Sequence, residues 1–214
     1  MSVKFRRKSV DPTPAGGSTG DGAHADDAAG ATAPVGPYDS AELPPGDGER
    51  VDLGSLLIAA APDRELRLQV DERTGEVQAV LLTGTDGALE LRAFAAPRNG
   101  DLWSELRPRI VAEMAQRGGT ATEREGRFGT ELLCDLPVTR ADGQSATQPS
   151  RIIGINGPRW LLRATLLGRP AVDPEAGREW EDVVTNVAVR RGAGAVPPGE
   201  PLPVTMPEGA RRLG

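Results

Sequence analysis

Arg151-Ile-Ile-Gly-Ile-Asn-Gly-Pro-Arg-Trp-Leu-Leu-Arg-Ala-Thr-Leu-Leu-Gly168 is the stretch whose reading decides the fold. Two apolar runs flank Asn156-Gly157, the dipeptide best suited to a two-residue type I′ turn because both central residues need φ > 0. The stretch therefore predicts a β-hairpin turning at Asn156-Gly157. In its second strand Trp160, Leu162, Ala164 and Leu166 share the core face, while Arg159, Leu161, Arg163, Thr165 and Leu167 share the other. Even that second face is partly apolar, as in a central strand.

Working outward, Thr120–Glu125 and Thr130–Val138 read as strands paired across Gly126-Arg-Phe-Gly129, and residues 139–149 as a polar connection. Earlier in the chain, Leu66–Val70, Val77–Thr83 and Ala88–Phe94 make an antiparallel meander with a short loop at Gly84–Gly87. Val51–Ile58 reads as one entering strand in which Gly54 marks a bulge or a close approach. Pro62-Asp63 then breaks the chain.

Two helices complete the pattern. Asp101 caps the first, which places Leu102, Leu106, Ile110 and Met114 on one stripe and ends at Gly118-Gly119. Pro108 inside it predicts a kink, or a regular helix that starts only near Arg107. Asp173 caps the second, with Pro174 at its first position and Arg190 and Arg191 at its close. Trp180, Val183, Val184 and Val187 form its apolar face. The expected class is α+β: an antiparallel sheet of about six to eight strands with two helices packed on it. Among known folds this order resembles the Mog1/PsbP-like α/β sandwich.

Composition sets the domain limits. In a chain of 214 residues with net charge −6, residues 9 to 49 carry eight acidic side chains, no Lys or Arg, and one aromatic, Tyr38. Such a segment buries too little apolar surface to offset about 1–2 kcal/mol per residue of ordering entropy. Residues 1–49 are thus read as a disordered leader, 50–192 as one domain, and 193–214 as a Pro/Gly-rich tail. No apolar run reaches the ~18–20 residues of a membrane span. A cytoplasmic location is the expectation.

Several phrases together resemble an actinobacterial family of unknown function. They are Lys4-Phe-Arg-Arg-Lys8, Gly36-Pro-Tyr-Asp39, Arg50-Val-Asp-Leu-Gly-Ser-Leu56, Asp101-Leu-Trp103, Gly118-Gly-Thr120, Phe128-Gly-Thr-Glu-Leu132 and Gly157-Pro-Arg-Trp-Leu-Leu-Arg163. The resemblance implies one cytoplasmic domain and no assigned activity, cofactor or catalytic residue.

The residues argue against most familiar chemistries. The one histidine, His24, falls in the leader, so Ser–His, Cys–His and His-based metal sites lack their central group. The one cysteine, Cys134, sits between Leu133 and Asp135 on a strand and reads as buried filler; it also excludes an intramolecular disulfide. No cofactor or metal is expected. Gly154–Gly157 matches the GxxG of a KH clamp, but bridges strands where that clamp joins helices. The net negative charge speaks against nucleic acid.

Carboxylates remain. Glu131 and Asp135 with Arg151 could converge in a cleft, and Glu123 and Glu125 stand on the neighbouring strand. The favoured expectation is a non-catalytic binding or adaptor protein with a protein partner. Its candidate surface is Arg159, Leu161, Arg163 and Leu167. A carboxylate–arginine cleft and an arginine-bearing nucleic-acid face are the alternatives.

Overall fold

The computed structural model describes residues 36–43, 48–61 and 63–206. The expectations for the basic start, His24, the rest of the leader before Gly36, Pro62 and the last eight residues lie outside the described residues. In chain order the elements begin with β1 (Tyr38–Asp39), β2 (Arg50–Asp52), β3 (Leu56–Ala59), β4 (Glu65–Val70), β5 (Val77–Thr83) and β6 (Gly87–Ala95). Then come α1 (Leu102–Gln116), β7 (Thr120–Gly126), β8 (Gly129–Thr139), β9 (Ser145–Gly157) and β10 (Trp160–Gly168). Short α2 (Arg169–Val172), α3 (Pro174–Thr185) and β11 (Val187–Val189) close the domain.

The α+β reading holds. Seven strands form one sheet in the order β4-β5-β6-β10-β9-β8-β7, antiparallel at every pairing. The meander β4-β5-β6 stands as expected, and β10 is the central strand. Trp160, Leu162, Ala164 and Leu166 all point into one core, with Val80, Leu82, Leu89 and Leu91 from the meander. That core is covered by α3, through Trp180 and Val184, and by a second sheet of order β1-β11-β3-β2. On the opposite face α1 lays Leu102, Trp103 and Ile110 on Leu132, Cys134, Ile152, Leu161 and Phe94. The large sheet thus carries a packed core on each side.

The hairpin turn is displaced from its expected place. Gly157 pairs with Trp160 and Asn156 with Leu161, so the loop is Pro158-Arg159 and Asn156-Gly157 belongs to β9. Proline fixes φ near −65° at the first loop position, and Arg159 takes φ 63° at the second, the pattern of a type II turn. The reason lies in packing. The Trp160 ring covers Gly157 so closely that a Cβ there would stand 2.1 Å from it. The Asn156 side chain is used elsewhere, as described below.

Other expectations shift in the same way. Residues 139–149 are mostly strand, since β8 runs to Thr139 and β9 starts at Ser145, closing on a turn where Arg140 N donates to Gln144 O at 2.8 Å. Val51–Ile58 is two strands, because Gly54 at φ 78° lets the chain reverse; the close approach there is to Thr205, 2.9 Å from a built Cβ. α1 is continuous from Leu102 through Pro108, so the alternative start near Arg107 falls. α3 stops at Thr185, and Val187 extends the helical period only by coincidence: it sits in β11, paired with Ile58.

Both domain edges also move. Tyr38 and Asp39, expected in the leader, pair in parallel with Ala188 and Val189. Leu202, expected in the loose tail, is 3% exposed and donates its N–H to Ala93 O. The tail runs beside the end of β6, with Ala95 N donating to Glu200 O at 2.9 Å.

Candidate functional site

Charged side chains gather in two places, one on each face of the large sheet, and the two differ in kind.

On the α3 side, three of the four buried polar or charged side chains among the described residues form one chain: Glu131, Arg151 and Glu181 are 1%, 4% and 6% exposed. Strand alternation on β8 and β9 aims Glu131 and Arg151 inward, and α3 brings Glu181 down on them. Arg151 lies 2.7 Å from Glu131 and is hydrogen-bonded to Glu181. Arg124, on the edge strand β7, donates to Glu131 Oε1 through Nε at 2.9 Å and Nη2 at 2.6 Å. Burial works against the Arg151 charge, but the hydrogen bonds it donates to both carboxylates outweigh this and raise its pKa above the ordinary value. Two cations face two anions, so the set is neutral.

Of the expected cleft, then, Glu131 and Arg151 do meet. They meet under a helix, in each other's charge. Asp135 is exposed, opposite Thr120 at the edge of the sheet, and takes no part. Glu123 serves Arg107 at 3.4 Å, and Glu125 accepts from the Thr130 hydroxyl at 2.7 Å. The partner that sequence reasoning missed is Glu181. Its place among the acidic residues of the first half of α3 is explained equally well by the helix dipole, so nothing marked it as buried.

The α1 side is different. Leu161, assigned to the contact surface, is 0% exposed beneath α1 and leaves that surface. The α1 N-terminus is fastened over the hairpin: Asp101 accepts from Ser104 N, and Asn156 donates to Asp101 at 2.6 Å while accepting from Trp103 N at 3.2 Å. Ser104, through its hydroxyl and then its amide, holds the Asp101 carboxyl below the usual carboxylate range. The Trp103 ring lies on Gly154, where a Cβ would come within 2.0 Å, and its Nε1 donates to Thr130 O. Asn156-Gly157 is spent on these contacts.

Beyond α1 the same face carries Arg163, Thr165 and Leu167 on β10, all partly exposed. Arg163 stands directly across from Arg92 on β6. Both guanidinium groups approach the Phe94 ring, at 5.4 Å for Arg92 and 5.6 Å for Arg163. Arg163 has Glu90 at 3.4 Å. Arg92 has no carboxylate within ion-pair distance among the described residues, and the buried Nε of each arginine lacks a hydrogen-bond partner. Burial, and next the charge of Arg163, lower the Arg92 pKa from its ordinary value, with Glu90 opposing. Arg159 is exposed in the turn, and its carbonyl accepts from Ala96 N at 2.9 Å.

Several other polar groups have visible structural uses. Trp160 Nε1 donates to Asp39 at 2.9 Å, which ties the Gly36–Asp39 phrase to the Gly157–Trp160 phrase. Arg64 stacks on Trp180 at 4.2 Å. Cys134 is 2% exposed, and burial pushes its thiol up. Among the described residues no group of three or more His, Cys, Asp or Glu side chains is placed to hold a metal ion, and no helix is long and apolar enough to cross a membrane.

Fold and sites together define an α+β domain with a neutralised ion chain inside and an unbalanced arginine pair outside. The chain belongs to the family described as "Protein of unknown function (DUF3710)", whose model matches residues 36–212. No curated protein gave a match. Among solved structures, the chain is similar to the solution structure of cyanobacterial PsbP (CyanoP) from Synechocystis sp. PCC 6803. The identity is 12%, with 65% of this chain and 91% of that chain covered, at a TM-score of 0.38.

Proposed function

We propose that the domain is a non-catalytic binding or adaptor module that meets a protein partner through the α1-side sheet face left open beside that helix. The surface comprises Arg92, Arg163, Thr165 and Leu167, with Leu81 on β5. One observation carries the reading: Arg92 is a half-buried guanidinium with no carboxylate partner among the described residues, opposite a second arginine. Like charges directly opposed across a sheet are destabilising, so the arrangement is a cost to the isolated domain that a bound partner would remove. The carboxylate–arginine cleft has less support, because Glu131 and Arg151 neutralise one another out of reach of solvent.

A bulky neutral ring at Thr165, in the middle of this face, tests it. Partners captured by the wild-type chain should be lost by Thr165→Trp at unchanged melting temperature. A capture profile identical in the two proteins, or empty in both, would overturn the reading.

A further inference from the structure

The arginine pair carries more than a surface; it specifies the chemistry of what binds. Arg92 and Arg163 are Cα partners on adjacent central strands and point to the same face, which sets their Cβ atoms about 4.5–5.5 Å apart. Their guanidinium carbons both approach the ring of Phe94, itself 8% exposed, so the two forks are held over an apolar floor. Glu90 supplies the neighbouring anion, at 3.4 Å from Arg163. Two positive charges against one negative leave a single charge uncompensated. A singly charged oxyanion closes that balance, whereas a phosphate, carrying up to two charges, would overshoot it.

Geometry and surroundings narrow the source. A guanidinium fork matches the two oxygens of a carboxylate in a planar, bidentate arrangement. Leu81, the cross-strand neighbour of Glu90, and Leu167, opposite Ala88, lie beyond Glu90 and Thr165 on the same face, and both are partly exposed. Apolar positions along the face beyond a cation pair suit an extended segment that presents one acidic side chain followed by apolar ones.

We infer that Arg92 and Arg163 form a receptor for one carboxylate, supplied by an aspartate or glutamate side chain in an extended segment of the partner protein. This deepens the binding-module reading and depends on it. Bound, the carboxylate sits between the two forks and removes the repulsion between them.

The test uses the full chain and two blocked peptides, one with a single glutamate among leucines and one with glutamine in its place. Side-chain Nε–Hε resonances of Arg92 and Arg163 should move with the glutamate peptide and stay still with the glutamine peptide. Arg92→Met and Arg163→Met should each weaken that binding about tenfold or more, with Arg92→Lys intermediate because it keeps the charge and loses the fork. Equal response to the glutamine peptide, tighter binding of inorganic phosphate than of the glutamate peptide, or affinity indifferent to the substitutions would each overturn the inference. If the glutamate peptide moves nothing while Thr165→Trp still abolishes partner capture, the carboxylate assignment fails and the binding surface stands. If capture ignores Thr165→Trp as well, both fail.

Discussion

At the scale of single residues, buried Glu131, Arg151 and Glu181 each face an opposite charge, whereas half-buried Arg92 faces another arginine. Glu131 is held by two guanidinium groups, and its loss strands Arg151 with Glu181 alone. Glu131→Ala should therefore cost about 3–5 kcal/mol, the penalty of an uncompensated buried charge, read by urea denaturation. Trp180 is 0% exposed on α3, and Trp180→Ala should cost about 3–5 kcal/mol as a truncation in the core. Asp101 shows how such contributions depend on pH. Its folded carboxyl titrates below its unfolded value, so the stability it adds is present above about pH 4 and is lost as pH falls through the folded pKa. Asp101→Ala should cost about 1 kcal/mol at neutral pH, and the gap from wild type should narrow steadily in acid melts.

Elements show why part of the fold was legible and part was not. The meander, the 120–138 hairpin and both major helices rest on period-2 and period-3.6 patterns with ordinary caps, and those signals are local. The central turn failed on a long-range cause: Asn156 is occupied by Asp101 and Trp103, and Gly157 lies under Trp160. Turn propensity lost to packing. β11 escaped for a related reason, since Val187 continues the α3 stripe and only its pairing with β3 separates the two. At the candidate site, alternation placed Arg163 on the open face correctly. It could not show that α1 covers Leu161, nor that Arg92 stands opposite, because both facts depend on strand order. Gly154 tests the packing argument most sharply. Gly154→Ala should dislodge Trp103, red-shifting its fluorescence and costing about 1–3 kcal/mol or more through overpacking.

Across the whole molecule, the ends of the domain close the core that the sequence assigned to residues 50–192 alone. β1 holds Trp160 through Asp39, and the strand-like tail brings Leu202 against Ala93. A Pro- and Gly-rich tail gives no periodic signal, so Leu202 could not be distinguished from a solvated leucine. Its burial makes Leu202→Ala a loss of about 2–5 kcal/mol by thermal or urea unfolding. The same scale gives the arginine pair its meaning. The buried charges Glu131, Arg151 and Glu181 are balanced by one another and by Arg124, whereas Arg92 and Arg163 add repulsion to the middle of the sheet.

Melting of Arg92→Met tests that distinction most directly, because methionine keeps the apolar stem and removes only the charged fork. The melting temperature should stay level or rise, while carboxylate binding weakens about tenfold or more. A fall of about 10 °C or more would mean that Arg92 supports the fold, contradicting its assignment to a binding surface.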